Sequence, residues 1–82
     1  MKIHVKMFPI AGISDASREM ELVLSEGSLN ELLNGLQKEA GIAPLPLETL
    51  MFLHNGRGLD IHENVQFRDG DSLWMLPHIS GG

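Results

Sequence analysis

The sequence predicts an α+β domain, with a mixed sheet of four to five strands and one helix packed across one face. Three observations point there. Two stretches near the start alternate polar and apolar residues, a leucine stripe at helical spacing follows, and short apolar runs divided by turn residues occupy the second half. A hairpin, a crossover helix and further strands build a two-layer domain of this kind.

In residues 2–8, Lys2, His4 and Lys6 alternate with Ile3 and Val5, and apolar Phe8 lies close by. This is the pattern of a half-buried strand, which Pro9 ends. Residues 10–17 hold Gly12, Ser14, Asp15 and Ser17 and read as a loop. Glu19, Glu21 and Val23 then alternate with Met20, Leu22 and Leu24, a second strand with the last three inward and a natural hairpin partner for the first. After the break at Glu26-Gly27, Ser28 is a helix N-cap and Glu31, three residues on, completes a capping box. Leu29, Leu32, Leu33 and Leu36 form one stripe, and Gly41 is the expected C-cap. Gly35 weakens this helix by roughly 1 kcal/mol relative to alanine. Since this is the one helix available to cover the sheet, the stripe reads as core and not as a partner's ligand.

Ala43-Pro44-Leu45-Pro46 reads as a stiff connector, and residues 50–53 as a fully apolar third strand. His54-Asn55-Gly56-Arg57 suits a tight turn with positive backbone dihedrals, and Leu59-Asp60-Ile61 is expected to form a short fourth strand. Asp69-Gly70-Asp71 is a sharp, solvated turn feeding a last strand over residues 72–76, which stops because Pro77 cannot continue the ladder. With Leu73 and Met75 inward, Trp74 and Leu76 face the uncovered side of the sheet. There they form an apolar patch suited to anchoring a protein partner, joined by one of Met51, Phe52 and Leu53. The chain thus divides into a domain over residues 1–76 and an extended, flexible tail over residues 77–82, Pro77-His78-Ile79-Ser80-Gly81-Gly82. A Gly-Gly end, lacking Cβ atoms, can lie in a channel too narrow for other residues.

Eighty-two residues make one domain near the lower size limit for a single hydrophobic core. There is no cysteine, which excludes disulfides, thiolate metal sites and a cysteine nucleophile. The formal net charge of -5 argues against nucleic acid and anionic membrane as partners and favours a basic protein surface. Neither a signal peptide nor a membrane-spanning run of about 20 apolar residues is present, so a cytoplasmic location is expected. His4, His54, His62 and His78 are too scattered for a zinc site; His78, in the tail, reads first as a polar spacer and second as a contact for a partner's channel. Gly56-Arg57-Gly58 is too short to cradle phosphate, so ATP binding would belong to a partner.

Taken together, His54-Asn55-Gly56, Asp69-Gly70-Asp71-Ser72 and Leu76-Pro77-His78-Ile79-Ser80-Gly81-Gly82, with their spacing, resemble the MoaD/ThiS family of ubiquitin-like sulfur carriers. The resemblance spans the chain, and the full first strand and loop before Arg18 make it look more like the molybdopterin synthase small subunit than the thiamine carrier. Two departures are His78, where the family often has a second proline, and Trp74 in the last strand. The resemblance implies a β-grasp fold and a protein that is not catalytic alone. Gly82 would be the reactive residue, adenylated by an E1-like enzyme using ATP and converted to a thiocarboxylate with sulfur from a desulfurase or rhodanese. The larger, MoaE-like synthase subunit would then receive the tail. Partner contacts would fall on Gly81, Ser80, Ile79, His78, Pro77, Leu76 and Trp74, with no metal and no cofactor bound by this chain. Two alternatives stand beside it: a ubiquitin-like modifier joined to lysines through Gly82, and a non-covalent interaction module.

Overall fold

The computed structural model describes residues 1–10, 15–41 and 47–78. Its elements are β1 (Lys2–Met7), β2 (Arg18–Val23), α1 (Leu29–Ala40), a 3-10 turn at Leu47–Thr49, β3 (Leu50–His54), β4 (Arg57–Gly58) and β5 (Ser72–Pro77). The five strands form one mixed sheet in the order β2-β1-β5-β3-β4. β1 and β2 make the expected antiparallel hairpin, whereas β5 inserts between β1, to which it is parallel, and β3, to which it is antiparallel.

Strand alternation sorts the side chains onto two faces. Ile3, Val5 and Met7 of β1, Leu22 of β2, Leu50 and Phe52 of β3, and Leu73 and Met75 of β5 are buried on the face that α1 covers. Leu29, Leu32 and Leu36 of the helix meet them, and Leu33 packs half-buried at the margin. Phe67, from the connector before β5, closes the core and is fully buried. Truncating such a phenylalanine to alanine costs about 3–5 kcal/mol.

The helix begins and ends where its caps place it, with one correction. Ser28 is the N-cap and its Oγ accepts the Glu31 N–H at 3.2 Å. In the expected box, the Glu31 carboxylate would return to the Ser28 N–H. Instead it accepts the N–H groups of Ser25 (2.6 Å), Glu26 (2.9 Å) and Gly27 (2.9 Å), which converge where Gly27 turns the chain at φ 77°. The bond from Ser25 leads in holding the Glu31 carboxyl down at about 2, against the opposing pull of desolvation and with help from Gly27 and Glu26. Gly41 ends the helix in the left-handed conformation, its N–H donating to the Gln37 carbonyl.

The bounds of β1, β2 and β3 move by one residue from expectation, and those of β4 and β5 differ for physical reasons. The fourth strand is Arg57–Gly58, not Leu59-Asp60-Ile61. Asn55 and Gly56, at φ 51° and 83°, form so tight a turn that pairing resumes at once, His54 with Arg57 and Leu53 with Gly58. After one further bond, from the Leu59 N–H to the Phe52 carbonyl, Asp60 turns the chain away by accepting the His62 N–H on Oδ1. The last strand, in turn, includes Pro77. The bonds Asn55 N–H to Ser72 carbonyl and His78 N–H to Thr49 carbonyl mark the bonded register between β3 and β5. Pro77, opposite Leu50, falls on an unbonded position, so its missing N–H interrupts nothing on the β3 side.

Candidate functional site

The uncovered face of the sheet carries the patch. Trp74 is 42% exposed and Met51 37%, while Leu53 and Leu76 are half-buried beside them. The register explains the grouping, since Leu53 is opposite Trp74 and Met51 opposite Leu76. Two residues of β3 therefore join the patch and not one, and Phe52, like Leu50, is turned to the core. From the other side, β1 adds Lys6, the parallel neighbour of Trp74, and Phe8 follows it. The Phe8 and Trp74 rings lie 5.4 Å apart, tilted by 58°, and Lys6 Nζ stands 5.0 Å and 5.8 Å from their centres. Each contact is of a strength near 0.5–1 kcal/mol at an exposed site. The result is an apolar surface fixed in shape, bearing one cation.

β5 carries this surface directly to Pro77 and His78. Pro77 is exposed at the strand end, and the exposed His78 is held by its backbone N–H at 2.8 Å from the Thr49 carbonyl. Its side chain borders a shallow groove with Leu47, Met51 and Ile61. Thus Trp74, Leu76, Pro77 and His78, expected as partner contacts, are brought together at one end of the sheet. Ile79, Ser80, Gly81 and Gly82 lie outside the described residues.

A polar network at the opposite end of β5 was not foreseen. The half-buried Asp71 was expected in a solvated turn, yet its carboxylate lies 2.7 Å from His54 Nε2 and accepts the Arg68 N–H at 2.9 Å and Asn55 Nδ2 at 3.1 Å. Burial tends to raise its pKa, but the bonds from His54, Asn55 and Arg68 and the charge interaction with His54 outweigh it and hold the carboxyl at about 2. Asn55 completes the lock, its Oδ1 accepting the Ser72 N–H at 2.8 Å. Asp69 accepts the Lys2 N–H at 2.6 Å. The network ties the β3–β4 turn to the start of β5 and so sets the register that presents Trp74 and Leu76. Its signal in the sequence is weak, because a histidine and an aspartate seventeen residues apart meet only once the strands are paired. Phe8 was more legible, since it shares the parity of His4 and Lys6.

Among the described residues, no group of three or more His, Asp or Glu side chains could hold a metal ion, and no helix is long and apolar enough to cross a membrane. His4 pairs with Glu21 at 3.5 Å on the open face, and the ring of His54 packs at 4.6 Å from that of Phe67.

No family model matches the chain. Over its whole length it is 29% identical to a molybdopterin synthase sulfur carrier subunit of Drosophila sechellia and 27% identical to that of Drosophila yakuba, covering 92% of each. Among solved structures, it is similar to a protein-protein complex of subunits 1 and 2 of molybdopterin-converting factor from Helicobacter pylori, with a TM-score of 0.64, 24% identity and full coverage of both chains. SAMP1 from Haloferax volcanii superposes with a TM-score of 0.72 at 20% identity, again over both full chains. The structural likeness establishes a ubiquitin-like β-grasp fold. The curated relatives bear out the resemblance to the sulfur carriers that the sequence motifs carried.

Proposed function

We propose that this chain is a sulfur carrier of the molybdopterin synthase type, with the Gly82 carboxyl group as the site of loading. The observation that carries the reading is its similarity, over 100% of its length, to two molybdopterin synthase sulfur carrier subunits. The lack of cysteine agrees with it, because no side chain here can hold sulfur as a persulfide.

The chemistry follows from the weakness of a carboxylate as an electrophile. An E1-like enzyme would transfer the adenylyl group of ATP to Gly82, releasing pyrophosphate and making AMP the leaving group. Persulfide sulfur, carried by a desulfurase or rhodanese, would attack the acyl carbon as the bond to AMP breaks, giving an acyl disulfide. A second thiol of the partner would then cleave its S–S bond, leaving a disulfide on the partner and the thiocarboxylate on Gly82. This soft nucleophile would donate its sulfur to a pterin precursor within a larger, MoaE-like subunit. In this reading the chain contributes recognition. The patch around Trp74 and Leu76 docks on the partner, and Pro77, His78, Ile79, Ser80 and Gly81 deliver Gly82 to the active site. ATP and the catalytic groups belong to the partners.

The test is intact and peptide mass spectrometry of the protein recovered from its own cells, paired with deletion of Gly82. Exchange of one oxygen for sulfur at Gly82, with loss of sulfur transfer on deletion and an unchanged unfolding midpoint, is the expected result. Isopeptide bonds from Gly82 to lysines would replace this reading with that of a protein modifier. A terminus that is never altered would leave a plain interaction module.

A further inference from the structure

Strand β2 lies at an edge of the sheet, with β1 as its one neighbour. The 2.8 Å bond from the Leu24 N–H to the Met1 carbonyl sets the pairing phase, so Leu24, Leu22, Met20 and Arg18 turn their backbone groups toward β1. Glu19, Glu21 and Val23 therefore turn theirs outward, and no strand among the described residues pairs with them. Such a row is a template for one more strand.

Beside this row runs a groove of about 430 Å³ between β2 and α1, with Leu22 and Gly35 at its base and Asn34, Lys38 and Glu39 along its rim. Gly35 is what opens it. A Cβ at that position would stand 3.5 Å from Leu22 Cδ1, an ordinary contact, so packing does not demand glycine there. The helix nonetheless gives up about 1 kcal/mol of propensity at this position. The space is kept at a cost to the helix.

The two faces of an added strand would meet different surroundings. On the open face its side chains would stand beside the exposed carboxylates of Glu19 and Glu21, and on the helix face beside Leu22 and the space over Gly35. Basic residues suit the first position and apolar residues the second. A second copy of this chain suits neither. The antiparallel register that pairs all three outward residues would set Glu21 of one copy against Glu21 of the other, and like charges directly opposite are destabilising.

We propose that the β2 edge and its groove bind an extended segment of a partner protein in which basic and apolar residues alternate, added to the five-stranded sheet as a sixth strand. The site lies two strands from β5, with Glu21 in the row of His4 and Ser72 and Glu19 in the row of Lys6 and Trp74. The inference is argued from the β2 edge and its groove alone and stands independently of the sulfur-carrier reading.

The probe is a synthetic octapeptide alternating lysine and valine, titrated into the isotope-labelled full chain and followed by backbone amide NMR and hydrogen exchange. Expected are saturable shifts at Leu22 and Gly35, and slowed exchange at Glu19, Glu21 and Val23. Glu21→Lys should weaken binding about tenfold. Val23→Pro should abolish it, since it removes an outward N–H while leaving every bond to β1 in place. Gly35→Gln should fill the groove and weaken binding while the helix holds or gains stability. Thermal unfolding of each variant separates lost binding from lost folding. Shifts centred on Trp74, equal affinity for a glutamate-valine peptide, or no saturable binding by the folded wild type would overturn the proposal. Self-association through β2 that Val23→Pro abolishes would overturn it in favour of a second copy.

Discussion

Replacing Gly27 by alanine should cost much more stability than the same change at Gly56, although both glycines have nearly the same backbone angle. Gly27 has φ 77° and Gly56 φ 83°. Left-handed backbone alone penalises alanine by roughly 1–2 kcal/mol at either position. At Gly56 nothing lies within 4 Å of the added Cβ, so the cost ends there. At Gly27 the Cβ would stand 2.6 Å from the Phe67 carbonyl oxygen, 2.6 Å from Gln66 Nε2 and 2.8 Å from Met1 Sδ. The two side chains can swing away, but the carbonyl cannot without moving the backbone at residues 66–67. That movement stretches the Phe67 N–H bond to the Gly27 carbonyl (2.9 Å) and the Gln66 Nε2 bond to the Glu26 carbonyl (2.8 Å). At about 0.5–1.5 kcal/mol each, these bring the total for Gly27→Ala to about 2–5 kcal/mol. Urea unfolding of both variants against wild type would measure the difference, provided the slope with denaturant is unchanged. A midpoint gap of about 4–8 °C per kcal/mol should appear in thermal scans. Equal losses would refute the close approach of the 66–67 segment to the turn.

If the proposed function holds, Trp74→Glu should weaken binding to a larger synthase subunit by about 2 kcal/mol, or some thirtyfold. Folding should lose under about 1.5 kcal/mol, since the ring is partly exposed and its principal neighbours are Phe8 and Lys6. Titration calorimetry alongside thermal unfolding checks both, and a larger loss in folding than in binding would place the ring in the core. The acid limb of stability is a separate expectation. Asp71 has a folded pKa near 2 against an ordinary value of 3.8, so in that interval the unfolded chain binds the proton more readily. Its contribution is therefore complete above 3.8 and lost as pH falls toward about 2. Asp71→Asn should cost about 1–2 kcal/mol at neutral pH after allowance for solvent screening, and should flatten the acid limb measured by urea midpoints. An unchanged limb would mean that the bonds to His54 and Asn55 do not form.

The parts legible in advance were those whose signals are local. Ser28, the leucine stripe and Gly41 bracket the helix within a turn's reach of one another, and alternation exposes both strands of the first hairpin. Trp74 could be assigned to the open face because strand parity is a two-residue rule. The missed features depend on strands distant in sequence. Nothing local reveals that β5 lies between β1 and β3, so the approach of Lys6 to Trp74 and of His54 to Asp71 stayed hidden. The displaced fourth strand and the paired Pro77 have a related cause: each turns on a bonding register that exists only in the assembled sheet. Glu31 shows a subtler limit, since the motif identified the right residue and the wrong set of N–H partners.

The central place of β5 also has a mechanical meaning. Pro77 ends a strand held on both sides, by β1 along one ladder and by β3 along the other. Tension drawn along that strand is shared by both ladders in shear, so several hydrogen bonds resist together. On an edge strand pulled sideways, they would open one at a time. The domain can thus serve as a rigid anchor for whatever is attached beyond it.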